Sequence, residues 1–250
     1  MRCFDKRGQL TIFIMVGLVL LMSAGLVLIS QNKASENDPE VQETIDLPLK
    51  FVPFKTYVDD CFRKTTHSGS VLLAMKGGFI YSFDQTFNAS GTEVAYHLID
   101  DQAAAPEKTF MQEELSRFIG ETLPRCVIEE KMFNHMQITF GTPTIKTTIL
   151  DEKISVTADF PIRVKESGDD IELTKFHIET DSKLGIILDI ADELKAYLLT
   201  TDQVSLEKLS SYDADISILP YTQDTVVYGL LEKNHINDPI LWMFAVKKTN

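Results

Sequence analysis

Residues Gln9 to Ser30 (QLTIFIMVGLVLLMSAGLVLIS) run for 22 positions without a charge. As a helix rising ~1.5 Å per residue, such a run extends roughly 33 Å, matching a hydrocarbon core about 30 Å thick. Its polar members, Gln9, Thr11, Ser23 and Ser30, are few, and Thr and Ser can satisfy their hydroxyls on the preceding turn. A buried soluble helix is rarely apolar on every side for so long, so the run predicts a transmembrane helix over 9–30. Arg2, Lys6 and Arg7 precede it, whereas Lys33 is outnumbered by Glu36, Asp38, Glu40 and Glu43 after it. That asymmetry places residues 1–8 in the cytoplasm and the C-terminal domain outside. The run exceeds the roughly 7–15 residues of a secretory signal, and Gln31–Ser35 is a poor cleavage site, so the expectation is an uncleaved, single-pass signal-anchor in the cell membrane.

Charge narrows the partners. The chain carries a net −13 although three basic residues stand ahead of the apolar run. Nucleic-acid binders need a concentrated basic face, so nucleic acid is excluded as a partner. An acidic domain is also repelled by anionic headgroups, which leaves residues 9–30 as the only part expected to engage the lipid bilayer.

Residues 31–48 are polar, acidic and broken by Pro39 and Pro48, which reads as a linker. The domain then spans 49–250, with a possible subdivision near 136. Phe54, Tyr57, Val58, Cys61, Phe62, Thr65, Gly69, Leu72 and Leu73 recur at helical spacing until Gly77-Gly78 stops the helix. A short strand is expected at 79–83, followed by an irregular stretch to Ala105. Pro106 opens a second helix with Met111, Leu115, Phe118, Ile119 and Leu123 on its apolar face, interrupted by Pro124.

From Gln137 the period becomes two. Ile154, Val156, Ala158, Phe160, Ile162 and Val164 alternate with polar residues, a strand expected to pair with 144–150, with Pro161 marking an edge or bulge. A third strand over 171–180, a helix over 184–199 and strands at 214–219, 225–231 and 240–247 complete the pattern. The fold class is therefore α+β: an N-terminal transmembrane helix, then an extracytoplasmic domain with early helices and a largely antiparallel sheet.

The chemistry-bearing residues are sparse. Cys61 and Cys126 are the only cysteines beyond the apolar run, both on amphipathic segments, and an oxidising exterior permits a disulfide; two separate buried thiols are the alternative. His67, His97, His135, His177 and His235 are far apart, and no metal or cofactor motif appears. Asp59-Asp60 and Glu129-Glu130 diverge on a helix, and Asp169-Asp170 lacks the alternation of a calcium loop. Ser205-Leu206-Glu207-Lys208 has the spacing of some acyl-transfer enzymes without their companion motifs, and Ser205 serves more simply as a helix N-cap. Asn88-Ala89-Ser90 is a glycosylation sequon in an expected loop.

The stretch Lys6-Arg7-Gly8-Gln9-Leu10-Thr11-Ile12-Phe13 resembles the opening of archaeal type IV pilin-like precursors. That resemblance implies peptidase cleavage between Gly8 and Gln9, although Phe13 stands where the family usually has glutamate. With Tyr57-Val58-Asp59-Asp60-Cys61 and Gly77-Gly78-Phe79-Ile80, the opening also resembles a group of single-span archaeal membrane proteins with no assigned activity. These features together point to a membrane-anchored extracytoplasmic domain that acts by binding surface or membrane protein partners, by scaffolding or by surface assembly. A cell-surface hydrolase whose site forms only in three dimensions is the alternative, and a processed pilin-like subunit the next.

Overall fold

The structure is a computed structural model, and it describes residues 47–129, 131–201, 204–233 and 239–248. Two compact units divide the chain after Leu49; the second, Lys50–Asn250, holds every element numbered below.

The transmembrane part of the expected architecture is corrected. Among the described residues no helix is long and apolar enough to cross a membrane. The two longest helices have 24 and 22 residues, but each is amphipathic: the first carries Lys55, Asp59, Asp60, Arg63 and Lys64 along its outer side. The run 9–30 itself lies outside the described residues, as do the tail 1–8 and nearly all of the linker. The membrane and single-pass description built on that run does not stand. The remaining architecture is an α+β domain with one antiparallel and one mixed sheet.

Helix α1 (Val52–Met75) buries Phe54, Val58, Cys61, Phe62, Thr65, Gly69 and Leu73 on one stripe. The buried hydroxyls of Thr65 and Ser70 donate to carbonyls of the preceding turn, at 2.8 Å to Cys61 and 2.7 Å to Thr66. The helix ends in paired reversed bonds, Gly78 N to Leu73 O at 2.8 Å and Gly77 N to Ala74 O at 3.1 Å. That closure needs a left-handed residue, and Gly77 supplies it at φ 77°. A Cβ on Gly77 would also fall 2.5 Å from the Met243 carbonyl.

Helix α2 (Lys108–Glu129) runs antiparallel to α1 and continues through Pro124. The expected interruption is absent because tertiary ties outweigh the one ladder bond that proline removes. Leu123 and Val127 are buried on either side of it, Tyr57 Oη donates to the Cys126 carbonyl, and Cys126 is covalently joined to α1. Further along the pair, Gly69 lets Leu115 and Phe118 approach within 2.6 and 2.7 Å of where its Cβ would stand.

Residues 79–83 form no strand, and the stretch read as irregular instead holds β1 (Thr86–Ala89), β2 (Thr92–Ile99) and β3 (Gln102–Ala103). Strands β8 (Ala214–Pro220), β9 (Thr225–Glu232) and β10 (Leu241–Lys247) join them in a six-stranded sheet ordered β1-β2-β10-β9-β8, with β3 on β2. The β2–β10 pairing is parallel. A second sheet holds β4 (Gln137–Phe140), β5 (Thr144–Ile149), β6 (Lys153–Glu166) and β7 (Asp169–Asp181). The long β6 carries β4 and β5 along one side and β7 along the other. Its register shifts between Asp159 and Ile162, around Pro161, where a missing donor requires such a break.

Helix α1 packs against both β7 and β10, with Phe62 and Phe176 rings 5.2 Å apart. Helix α3 (Leu184–Leu198) lies against β9. Its Gly185 is held so near the β5–β6 turn that a Cβ would meet Leu150 O at 2.3 Å. A short α4 (Leu206–Ser210) precedes β8.

Candidate functional site

Five strands other than β3 stand at sheet edges, and the fold treats them differently. Helix α2 covers β5: Ser116 Oγ accepts from Thr147 N at 3.0 Å and Gln112 Oε1 from Ile149 N at 3.0 Å. The outer strand β7 carries Asp169, Asp170, Glu172, Glu179 and Asp181, and β1 and β4 are four residues long. Short length, charge and coverage are the usual protections of an edge. Strand β8 is the least protected: beyond Asp215 near its start and Pro220 at its end, it has no device of this kind. It is seven residues long, its one charge is Asp215, and among the described residues it pairs only with β9. Ile218 is 38% exposed, Leu219 45%, and Tyr221 just beyond them 37%.

A second feature lies where β6 turns into β7. Ser167 and Gly168 form the turn at φ 50° and 92°, and a cleft of about 400 Å³ opens beside it, lined by His135, Gln137, Lys165, Glu166, Asp169 and Asp170 among others. His135 Nε2 lies 3.2 Å from Glu166 Oε1. Lys50 pairs with Asp169 and donates to Glu166 O at 3.0 Å. Asp170 lies 3.5 Å from Arg163 and 3.4 Å from Lys165. Each acid of the cleft therefore faces a basic group, and the surface is polar and charge-balanced.

The residues singled out from sequence are mostly kept apart. Cys61 and Cys126 form a disulfide with Cα atoms 5.8 Å apart. Asn88 is exposed at the end of β1, and its Oδ1 accepts from Gly91 N at 2.8 Å across the hairpin turn. Ser205 caps α4, accepting from Lys208 N at 3.1 Å. Asp59 pairs with Lys55 and Asp60 with Arg63. Gly8, Gln9 and His235 lie outside the described residues. Among the described residues, no group of three or more His, Cys, Asp or Glu side chains could hold a metal ion.

His97 is the most perturbed group. It is 1% exposed on β2, stacked 4.7 Å from Phe244 and edge-on to Trp242 at 5.8 Å. Burial, with a smaller contribution from Lys195, pushes its imidazole down to about 3 against the opposing Gly77 bond. The ring is therefore neutral, and because Gly77 O only accepts, Nε2 carries the proton across 2.9 Å. Among the described residues, Nδ1 of His97 and Nε1 of Trp242 have no hydrogen-bond partner. The ring packs between Phe244 and Trp242.

Elsewhere Glu114, 8% exposed, accepts from Ile80 N and Tyr81 N at 2.8 Å each and fixes the segment after α1. Tyr81 Oη donates to Glu121 at 2.6 Å. Burial and that carboxylate push the phenol up to about 12.

Sequence reasoning located the strand that became β8 but not its edge position, because strand order depends on partners distant in sequence. His135 and Glu166 share no motif; they meet because β4 pairs with the end of β6. These features define an α+β domain with a disulfide-joined helix pair and one weakly protected sheet edge. No family model, no curated protein and no solved structure matches the chain.

Proposed function

We propose that this chain is an extracytoplasmic domain that acts by binding a protein partner, with β8 as the binding edge. The observation that carries the reading is the contrast among edges: β5 is covered and β7 charged, while the seven-residue β8 exposes Ile218 and Leu219. Strand addition to such an edge gains main-chain hydrogen bonds together with apolar burial. The Cys61–Cys126 bridge supports an oxidising compartment, since structural disulfides persist there and are rare where glutathione keeps thiols reduced.

The test is capture of partners from native extracts by the tagged full-length chain and by an Ile218→Pro variant. Binding through β8 predicts a partner or a multimer that the variant loses. If the full-length chain brings down neither, or the variant retains both, the reading fails. A hydrolytic reading has one observation in its favour, the His135–Glu166 contact beside Ser167 in the cleft. Hydrolysis of a surface substrate, abolished by His135→Ala with capture unaltered, would establish it instead.

A further inference from the structure

We infer that the partner of β8 is a second copy of the chain, paired β8 to β8 in antiparallel fashion about a two-fold axis at Ser217. This deepens the reading above and rests on it.

The hydrogen-bond phase of the strand comes first. Tyr221 N donates to Thr225 O at 3.1 Å, and the two residues continue the register in which Pro220 faces Val226. Bonded pairs recur every second residue in an antiparallel ladder. Asp215, Ser217 and Leu219 therefore direct their N–H and C=O groups to β9. Ala214, Ile216, Ile218 and Pro220 direct theirs away from the sheet. Pro220 thus sits where its missing N–H removes no bond to β9.

The sequence of the strand, ADISILP, has a palindromic centre, Ile216-Ser217-Ile218. With the axis at Ser217, Ile216 faces Ile218 of the second copy, and both of their outward N–H and C=O groups pair. Ala214 N–H faces the carbonyl of Pro220 in the second copy, whereas the Ala214 carbonyl meets the proline ring and gains no donor, so the ladder ends at this pair. Symmetry repeats each of these bonds. Ile216 and Ile218 lie on the face that carries Leu230 and Tyr228 in β9, so the apolar surface continues across the junction. Asp215 faces Leu219 of the second copy, which sets the two Asp215 carboxylates about 14 Å apart at ~3.4 Å per residue. That separation exceeds the Debye length of about 8 Å at physiological salt. An interface built from one patch on both copies is the closed, isologous kind, and it consumes both open edges. Because each copy carries −13, long-range repulsion opposes the encounter, and association strengthens with added salt.

The experiment uses the full-length chain, kept in solution with a mild detergent on account of the apolar run 9–30, in a Cys3→Ser background that leaves no unpaired thiol of its own. At a non-hydrogen-bonded pair the Cα atoms stand about 4.5 Å apart, within disulfide reach. Ser217→Cys is expected to give a covalent dimer on mild oxidation, and Asp215→Cys none. Ile218→Pro, which deletes an outward N–H that β9 does not use, is expected to shift sedimentation from dimer to monomer with unchanged ellipticity, and to remove the concentration dependence of the unfolding midpoint. Crosslinking through Asp215→Cys in place of Ser217→Cys would overturn the register. A wild-type chain that stays monomeric at every concentration, without crosslinking at Ser217→Cys, overturns self-pairing. If Ile218→Pro still abolishes capture of a different protein in that case, binding through β8 stands. If it abolishes neither, both readings fall.

Discussion

Removing the Cys61–Cys126 bridge should cost the domain about 4 kcal/mol. The cysteines lie 65 residues apart in sequence, and closing a loop of that length removes denatured-state entropy worth about 4 kcal/mol at 25 °C. For a domain near 200 residues this corresponds to a fall of roughly 8–16 °C in Tm. Cys126 is half-buried and Cys61 fully buried, so Cys126→Ala is the cleaner perturbation: it breaks the bridge and leaves the packed sulfur of Cys61 in place. Urea unfolding followed by the fluorescence of Trp242, the one tryptophan and fully buried on β10, reports from an element the bridge does not join. Ellipticity of the helices provides the second probe that two-state treatment requires. The full difference is expected between oxidised wild type and Cys126→Ala, with the denaturant slope rising in the variant because its denatured chain is less compact. A difference below about 1 kcal/mol would refute the reasoning. It would mean that the unbridged denatured chain already holds α1 against α2, leaving the bridge little entropy to remove.

Three further outcomes follow from named contacts. His97, held down to about 3 in the folded state against 6.5 unfolded, binds fewer protons folded than unfolded, so stability is complete above about pH 6.5. It is lost toward pH 3, at up to about 1.4 kcal/mol per pH unit; urea midpoints at pH 7 and 5 should show the slope, and His97→Phe should flatten it. Gly185→Ala drives a Cβ into the backbone of Leu150 and Asp151 and should destabilise by about 1–3 kcal/mol in urea unfolding, whereas Gly91→Ala meets nothing within 4 Å and bears only the strain of its positive φ. Glu114→Ala strips the acceptor from two backbone N–H groups; a loss of about 2–4 kcal/mol is expected, with Glu114→Gln losing less and faster amide exchange confined to Ile80 and Tyr81.

How much of this was legible depended on whether the determining contacts were local. The strand β6 announced itself because one face is buried and the other wet, so the alternation from Ile154 to Val164 records its environment directly. Gly77-Gly78 was readable as a stop because helix closure is a local event. The β1–β2 hairpin was missed although Ser90-Gly91 is a turn signal; its strands are short, and Val94, Ala95, His97 and Leu98 are buried on both faces, which erases the alternation. The persistence of α2 beyond Pro124 was hidden because it rests on Tyr57 and Cys61, more than sixty residues earlier. The expected membrane helix was read from residues outside those described, and the described helices carry charge along their lengths. For the candidate sites, residue types were visible but adjacency was not: neither the open edge of β8 nor the meeting of His135 with Glu166 has a signature in the linear order.

The placement of β10 sets a timetable for the chain. It fills the slot between β2 and β9, and its parallel partner in β2 was synthesised roughly 150 residues earlier, a separation that makes such pairing intrinsically slow. Until β10 arrives, β2 and β9 have no common neighbour, and Gly77 waits for the Met243 backbone against which it is moulded. The helix pair is complete once residue 129 emerges, so Cys61 can find Cys126 long before the sheet exists. The nascent chain would thus acquire its covalent knot first and its hydrogen-bonded centre last. A stalled product ending ahead of Leu241 should carry the disulfide yet leave the cores of β2 and β9 open to any chaperone that collects unpaired strands.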